Sequence, residues 1–235
     1  MRYHQTATSS LQAVARLARA SPWIVAITVP AEQAARVAQR QAERYPSITR
    51  DHRARNVLRN LELPAIQLVT LAPTQGHVTL LLVSNVVPQD SREQWRRALD
   101  PDEPLRWRNY ELVCSPEGAI TWRLSEQARA HYQMCINRTI TGRGGRPKPG
   151  ERPYQFSPAT ARQQVLQLAA HLCRYPGFSG IREDVYTLAQ HSTKVWHNTH
   201  PHEPFPVWPK MPYLRFGQYR TAPLDDLLEE NHDEK

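Results

Sequence analysis

The pattern of hydrophobic and polar positions predicts strands first and longer helices later in the chain. Residues 23–29 (WIVAITV) form a nearly continuous apolar run that is rich in β-branched side chains and is followed by Pro30. Such a run predicts a buried central strand. Residues 65–72 and 77–84 predict two more strands, because the turn-forming sequence Pro73-Thr74-Gln75-Gly76 lies between them. The first half of the chain should therefore contain a sheet.

Apolar residues that recur every three or four positions predict the helices. We expect helices at residues 9–20, 31–45, 49–61, 91–99, 125–139, 157–175 and 179–197. The first should follow an N-capping Ser, and Ser91 and Gln94 have the spacing of a capping box. Ser157 and Pro158 are the residue types that favour the N-cap and first position of a helix. A second hairpin is predicted from strands at 109–114 and 119–124.

The order of these elements predicts an α+β fold. From residue 23 the first six main elements match β-α-β-β-α-β, the ferredoxin-like arrangement. We expect residues 1–124 to form a ferredoxin-like domain and residues 125–220 to form a helical region with a Pro-rich extended arm. The arm reads HPHEPFPVWPKMP, and its five prolines exclude regular structure. Residues 221–235 form an acidic tail.

The basic, Arg-rich composition indicates what kind of binding partner the protein has. The formal net charge is +8, and only 4 of the 30 basic residues are Lys. Arg forms bidentate contacts with phosphates and stacks on bases, so this composition favours nucleic acid over acidic proteins or membranes. Three widely spaced cysteines, no apolar leader and no run of about 18 apolar residues predict a cytoplasmic protein with reduced thiols.

A basic segment rich in Gly and Pro divides the chain at residues 138–154 (RTITGRGGRPKPGERPY). Gly and Pro at this density interrupt helices and strands. A cationic loop of this kind suits a polyanion, because its arginines can pair with phosphates. The alternative is a solvated linker. Its candidate nucleic-acid-binding residues are Arg138, Arg143, Arg146, Lys148 and Arg152.

A second basic cluster lies on the predicted helix at 49–61. Its candidate nucleic-acid-binding residues are Arg50, Arg53, Arg55 and Arg59. Together with the loop they predict a phosphate-binding surface, with RNA favoured over DNA as the partner. The alternative is that these arginines solvate the outer face of a helix.

The fold order of residues 23–124, the Arg-rich composition and a loop containing Gly142, Gly144, Gly145 and Gly150 resemble the RAMP superfamily. Within it, the resemblance is to the CRISPR repeat-RNA endonucleases. This resemblance implies a ferredoxin-like fold and RNA processing within a ribonucleoprotein. No short motif matches residue for residue, so the resemblance transfers no catalytic residue.

The sequence leaves catalysis open. A metal-independent endoribonuclease needs a His to remove the proton of a ribose 2′-OH and an Arg to stabilise the phosphate. His52, among arginines, is the first candidate and His4, beside Arg2, the second, although either position also suits an ordinary surface His. We expect no metal or cofactor; the sequence H-x₂-H-x-H at His197 to His202 is a weaker zinc alternative.

Two other function classes remain open. One is a DNA-binding accessory protein of a mobile element, which acts in replication or transfer. The other is a non-enzymatic assembly subunit that docks on partner proteins through the Pro-rich arm. The chain has no P-loop, no G-x-G-x-x-G after a strand and no G-x-S-x-G, so nucleotide hydrolysis, Rossmann redox chemistry and α/β-hydrolase chemistry are disfavoured.

Overall fold

A computed structural model describes residues 1–142, 156–215, 217 and 219–228. The fold is α+β, and the chain divides into two compact units. The first contains residues 1–105, 112–120 and the described residues from 215 onward, and the second contains residues 106–111 and 121–214.

The described residues form nine strands and six α-helices. The strands are β1 (Arg2–His4), β2 (Trp23–Pro30), β3 (Gln67–Thr70), β4 (His77–Ser84), β5 (Arg96–Arg97), β6 (Arg106–Trp107), β7 (Tyr110–Cys114), β8 (Ile120–Leu124) and β9 (Thr221–Pro223). The helices are α1 (Ala7–Ala18), α2 (Ala34–Arg44), α3 (His52–Asn60), α4 (Glu126–Thr141), α5 (Pro158–Leu172) and α6 (Ser179–Thr199).

The first unit is built on a six-stranded mixed sheet with the order β5-β2-β4-β3-β1-β9. β1 and β3 are parallel, and the other pairs are antiparallel. The longest pairing joins β2 to β4, in register from Trp23 opposite Ser84 to Pro30 opposite His77. The apolar run at 23–29 therefore forms a strand, as predicted, but its predicted burial is wrong. Among the described residues, β5 pairs only with Trp23 and Ile24 of β2, and Ala26 and Thr28 are exposed.

Both faces of β4 are buried. Leu80 belongs to an apolar cluster that includes Ala34 and Ala38 of α2, and Leu82 belongs to a second cluster with Tyr45 and Ile66. Leu81 is also completely buried, and its side chain points to the opposite face because successive strand residues alternate. The α2 cluster also contains Tyr3 of β1. The neighbouring residue His4 instead contacts Ser9 of α1, so α1 and α2 lie on different faces of the sheet.

The predicted turn between β3 and β4 is confirmed. The backbones of Thr74 and His77 exchange two hydrogen bonds of 2.8 and 3.0 Å. The two residues between them, Gln75 and Gly76, have positive φ angles of 50° and 73°. Two central residues in this conformation match the right-handed twist of the flanking strands.

The predicted helix at 91–99 is wrong. Ser91 Oγ instead accepts hydrogen bonds from the Glu93 N–H at 3.2 Å and from Trp95 Nε1 at 2.7 Å, and it donates to a Glu93 carboxylate oxygen at 2.8 Å. Such local side-chain bonds compete with helix formation. Trp95 packs against the core, and β5 then pairs with the edge of β2.

The boundaries of two other helices differ from their predictions. α1 begins after Thr6, whose Oγ1 accepts from the Ser9 N–H at 3.2 Å, so the capping residue is Thr rather than Ser. Ser9 and Ser10 lie inside the helix and are buried. A 3₁₀ turn over Ala31–Gln33 precedes α2. The caps Ser125 of α4 and Ser157 of α5 are confirmed.

Part of the acidic tail forms core structure that the sequence analysis did not predict. β9 pairs antiparallel with β1, with Ala222 opposite Tyr3. The 3₁₀ helix that follows, Leu224–Leu228, places Leu224 and Leu227 in the apolar cluster against α2, and each is 2% exposed. The remainder of the tail lies outside the described residues.

The second unit contains α4, α5 and α6. Two of its carboxylates, Glu111 and Asp184, are buried. Arg129 lies 3.2 Å from Glu111 and 3.7 Å from Asp184, and Arg123 lies 3.5 Å from each. Burial raises the pKa of the Asp184 carboxyl, whereas the Leu124 N–H and the two arginines oppose that rise. The network links β7, β8, α4 and α6.

The segment after α6, residues 200–214, has no helix or strand and packs along the second unit. Arg162 donates to the Pro204 carbonyl at 2.8 Å, and the Leu214 N–H donates to the Gly177 carbonyl at 3.2 Å. A side chain at 177 would overlap this segment, because its Cβ would lie 2.2 Å from the Pro212 oxygen. The Arg182 guanidinium stacks 3.4 Å from the ring centre of Tyr213.

We predict that Leu224→Ala will lower the free energy of unfolding by about 2–5 kcal/mol, because it leaves a cavity in the core. Urea denaturation followed by circular dichroism measures this change. Asp225→Ala, at the exposed neighbouring position, is the matched control and should leave stability nearly unchanged. Equal stability of the two variants would show that residues 221–228 do not contribute to the core.

Candidate nucleic-acid interface

The structure brings one of the two predicted basic clusters together. Arg53, Arg55 and Arg59 lie on α3, and Arg50 lies in the turn before it. Arg138 lies exposed near the end of α4, in the second unit. Four predicted residues of the Gly-rich loop lie outside the described residues: Arg143, Arg146, Lys148 and Arg152. The described candidate interface is therefore α3 and its surroundings.

Helix α3 is held at its N-terminus by Asp51. The Asp51 carboxylate accepts a hydrogen bond of 2.7 Å from the Ala54 N–H, which satisfies one of the free N–H groups of the first turn. None of the nine residues of α3 is buried. This helix therefore contributes little to the core, and its side chains are available for contacts with a binding partner.

The arginines of this cluster have no carboxylate partner. Among the described residues, no Asp or Glu oxygen lies within 4.0 Å of a guanidinium nitrogen of Arg50, Arg53, Arg55 or Arg59. Arg55 instead donates to the backbone carbonyl of Arg50, and Arg59 Nη1 donates to Asn56 Oδ1 at 2.7 Å. Direct ion pairs among the described residues therefore do not neutralise the cluster, although Asp51 interacts electrostatically with Arg55.

Arg55 and Arg59 are crowded against each other. The Nε atom of each is shielded from solvent and has no hydrogen-bond partner among the described residues. Burial lowers the pKa of Arg55, and the positive charge of Arg59 lowers it further, although Asp51 opposes this. An anion bound beside the two guanidinium groups would reduce this repulsion.

A basic stripe on α2 extends the charged surface, and the sequence analysis missed it. Arg36, Arg40 and Arg44 recur every four residues, so they lie on one face of the helix, and all three are exposed. Arg44 forms an ion pair with Glu93. The i, i+4, i+8 spacing was visible in the sequence and is the signal that could have identified this stripe.

His52 belongs to the α3 cluster. Arg59 donates to Asn56 Oδ1, so the Asn56 amide nitrogen faces His52 Nδ1, at 3.2 Å. Nδ1 then accepts that hydrogen bond, and in the neutral ring the proton lies on Nε2. In this arrangement neither ring nitrogen is a free base, and the Nε2–H of a neutral ring is too weak an acid to protonate a leaving group, so acid–base chemistry at His52 requires Nδ1 to be released from Asn56.

The structure does not bring His4 into the same site. His4 Nδ1 lies 2.6 Å from Ser9 Oγ, and its ring is 6.1 Å from that of Tyr219. These contacts place His4 beside α1 and the segment before β9. Helix α3 lies on the α2 side of the sheet, because its Leu58 lines a groove together with Tyr45 and Ile66. Burial lowers the pKa of His4.

The described residues contain neither a candidate metal site nor a helix that could span a membrane. No group of three or more His, Cys, Asp or Glu side chains there could hold a metal ion. Within H-x₂-H-x-H, His200 is buried, and its Nε2 lies 3.3 Å from the Ile140 carbonyl oxygen. In the same part of the chain, no helix has the length and apolar character needed to cross a membrane.

We predict that His4 makes stability depend on pH. Its pKa is lowered in the folded state, so the unfolded chain binds more protons between the folded pKa and about 6.5. This contribution is complete above the unfolded pKa and is lost as pH falls through the folded pKa. Urea unfolding at about pH 7.5 and about pH 5 should show a smaller loss for His4→Gln than for the unsubstituted protein. Equal losses would contradict the prediction.

Comparison of the chain with protein-family models, curated sequences and solved structures found no significant match.

Proposed function

We propose that this protein binds nucleic acid through α3, the turn before it and the exposed stripe of α2. The observation that carries the proposal is the set of four arginines at α3 without a carboxylate partner among the described residues. Surface arginines that only solvate a protein commonly alternate with acids. Here they are concentrated on a helix that buries none of its residues.

The chemistry of phosphate fits this surface. Phosphate oxygens accept hydrogen bonds from Arg in bidentate geometry, and the polyanion offers one such group per nucleotide. Arg55 and Arg59 repel each other, so an anionic phosphate beside them is favourable. The net charge of +8 would also attract a polyanion at long range.

RNA is the nucleic acid that we propose. This part of the proposal depends on the resemblance to the RAMP superfamily, which stays a prediction. The predicted ferredoxin-like order adds no support, because its second helix, at 91–99, does not form. The same resemblance suggests a place in a ribonucleoprotein in the cytoplasm. Further phosphate contacts would come from four residues of the Gly-rich loop that lie outside the described residues: Arg143, Arg146, Lys148 and Arg152.

Cleavage of the bound RNA is the catalytic form of the proposal, and it needs no metal. His52 is its central residue, because it lies among the arginines that would hold the phosphate. Once released from Asn56, Nδ1 would take the proton of the ribose 2′-OH as the 2′-oxygen attacks phosphorus, and the resulting imidazolium would return a proton to the leaving 5′-oxygen. His4 would require a separate binding surface on the α1 side of the sheet.

The first test is the absorbance ratio at 260 and 280 nm of the protein purified at low salt. We expect a high ratio that ribonuclease abolishes and deoxyribonuclease does not. A low ratio would show that RNA is not the partner and would favour an assembly subunit. A high ratio that falls only with deoxyribonuclease would favour a DNA-binding protein.

Incubating the bound RNA with EDTA tests metal-independent cleavage. Products that form in EDTA and are lost in His52→Gln support cleavage, and intact RNA refutes it.

The second test removes the arginines at α3. We predict that Arg50→Ala/Arg53→Ala will weaken RNA binding by about tenfold, because charge-assisted hydrogen bonds to phosphate are lost. The slope of log K against log salt should fall by about 1.4, as expected for two lost contacts with a single strand. Fluorescence anisotropy over a salt series measures both quantities.

Arg16→Ala/Arg19→Ala is the matched control for this test. It removes the same charge from two exposed arginines at the end of α1. If both double variants lose the same affinity, the protein attracts nucleic acid only through its net charge and α3 is not the interface.

A further inference from the structure

A groove of about 830 Å³ lies next to the arginines of α3, within the first unit. Three segments of the chain line it: residues 44–50, residues 58–66 and residues 86–90. Its size falls within the range typical of ligand pockets, about 300–1,000 Å³. No part of the sequence analysis identified it, because the three segments are far apart in the chain.

The lining of the groove is mainly apolar and partly exposed. Leu63 and Val87 are 47% and 41% exposed, and Pro64 and Pro88 lie beside them. Ile66 and Tyr45, both buried, also line it. Predominantly apolar walls of this kind are typical of ligand pockets.

The groove is held open by hydrogen bonds that its own residues make. The Asn85 amide accepts from the Ala65 N–H at 2.8 Å and donates to the Leu63 carbonyl at 3.1 Å. Ser47 Oγ accepts from the Ile66 N–H at 3.0 Å. These bonds tie the three lining segments to one another, so the groove is preformed and a ligand need not order it.

The charges at the groove indicate what kind of ligand it accepts. Arg50 lines it and also belongs to the α3 cluster, so the groove is continuous with the proposed phosphate-binding surface. Glu62 and Asp90 line it as well. Carboxylates of this type accept hydrogen bonds from the amino groups of bases. Apolar walls, a cation on the side of the phosphates and carboxylate acceptors together match a nucleotide.

We propose that this groove binds an unpaired base of the nucleic acid, and that the protein therefore selects single strands over duplexes. The proposal rests on the proposed function. A base in a duplex has both faces stacked, so only an unpaired base can place its faces against Leu63, Pro64, Val87 and Pro88. The neighbouring phosphates would then reach Arg50 and the arginines of α3.

The experiment compares a single-stranded RNA with a blunt duplex of the same sequence, each measured by fluorescence anisotropy. We expect the unsubstituted protein to bind the single strand more tightly. Leu63→Ser/Val87→Ser should weaken single-strand binding about five- to tenfold, as expected when base packing is lost. It should leave duplex binding and the salt slope unchanged, because no phosphate contact is removed.

Leu166→Ser/Val207→Ser is the matched control. Leu166 and Val207 are exposed apolar residues that neither line the groove nor belong to α3, at 40% and 82% exposure. This variant has the same change in polarity and should bind the single strand normally. Circular dichroism checks that both double variants are folded.

The outcomes separate this proposal from the proposed function. If Arg50→Ala/Arg53→Ala weakens binding but the groove variant does not, the function stands and the groove does not bind a base. A duplex that binds as tightly as the single strand also overturns the groove proposal. If the protein binds neither the single strand nor the duplex, both the proposed function and the groove proposal are refuted. Photo-crosslinking of 4-thiouridine RNA adds a direct test: cross-links should map to residues 58–66 or 86–90, and cross-links found only elsewhere would overturn the proposal.

Discussion

The pairing of β2 with β4 is the constraint on which the first unit depends. Eight consecutive residue pairs join the two strands, and β4 also pairs with β3 on its other edge. β4 is hydrogen-bonded on both edges, and its leucines are buried on both faces, so a shift of register by one residue would move every side chain to the wrong face. The positions of α2, of the turn at residues 46–48 and of the groove all follow from this register.

The same constraint explains why α3 is available for a surface role. The apolar face of the sheet near β2 and β4 is covered by α2, the turn at residues 46–48 and Trp95. Helix α3 lies beyond this cover and buries none of its residues. Its arginines are therefore not needed for the core, and among the described residues none of them forms an ion pair with a carboxylate. A helix that is dispensable for packing can carry a composition that would destabilise a buried element.

The sequence predicted those elements whose own residues determine them. The segments at 23–29 and 77–84 are strands because their apolar and β-branched side chains favour that conformation, although only the second is buried along most of its length. Ser157 with Pro158 specifies the start of α5 locally. The segment at 91–99 was predicted wrongly because Ser91 and Trp95 make contacts that helical periodicity does not reveal. The burial of Leu224 and Leu227 depends on β1, at the other end of the chain. Of the candidate site, the arginines of α3 could be predicted, whereas the groove could not, because it is formed by three distant segments.

The contact between β1 and β9 has a consequence for biosynthesis. Arg2 Nε donates to Thr221 Oγ1 across 219 positions of the chain, and β9 is the only described neighbour on that edge of β1. While the ribosome is still making the helices of the second unit, this edge has no partner and Tyr3 lacks the cover of Leu224 and Leu227. The first unit can therefore complete its sheet only after almost all of the described chain has emerged, and until then the nascent chain exposes an edge that chaperones or other nascent chains can bind.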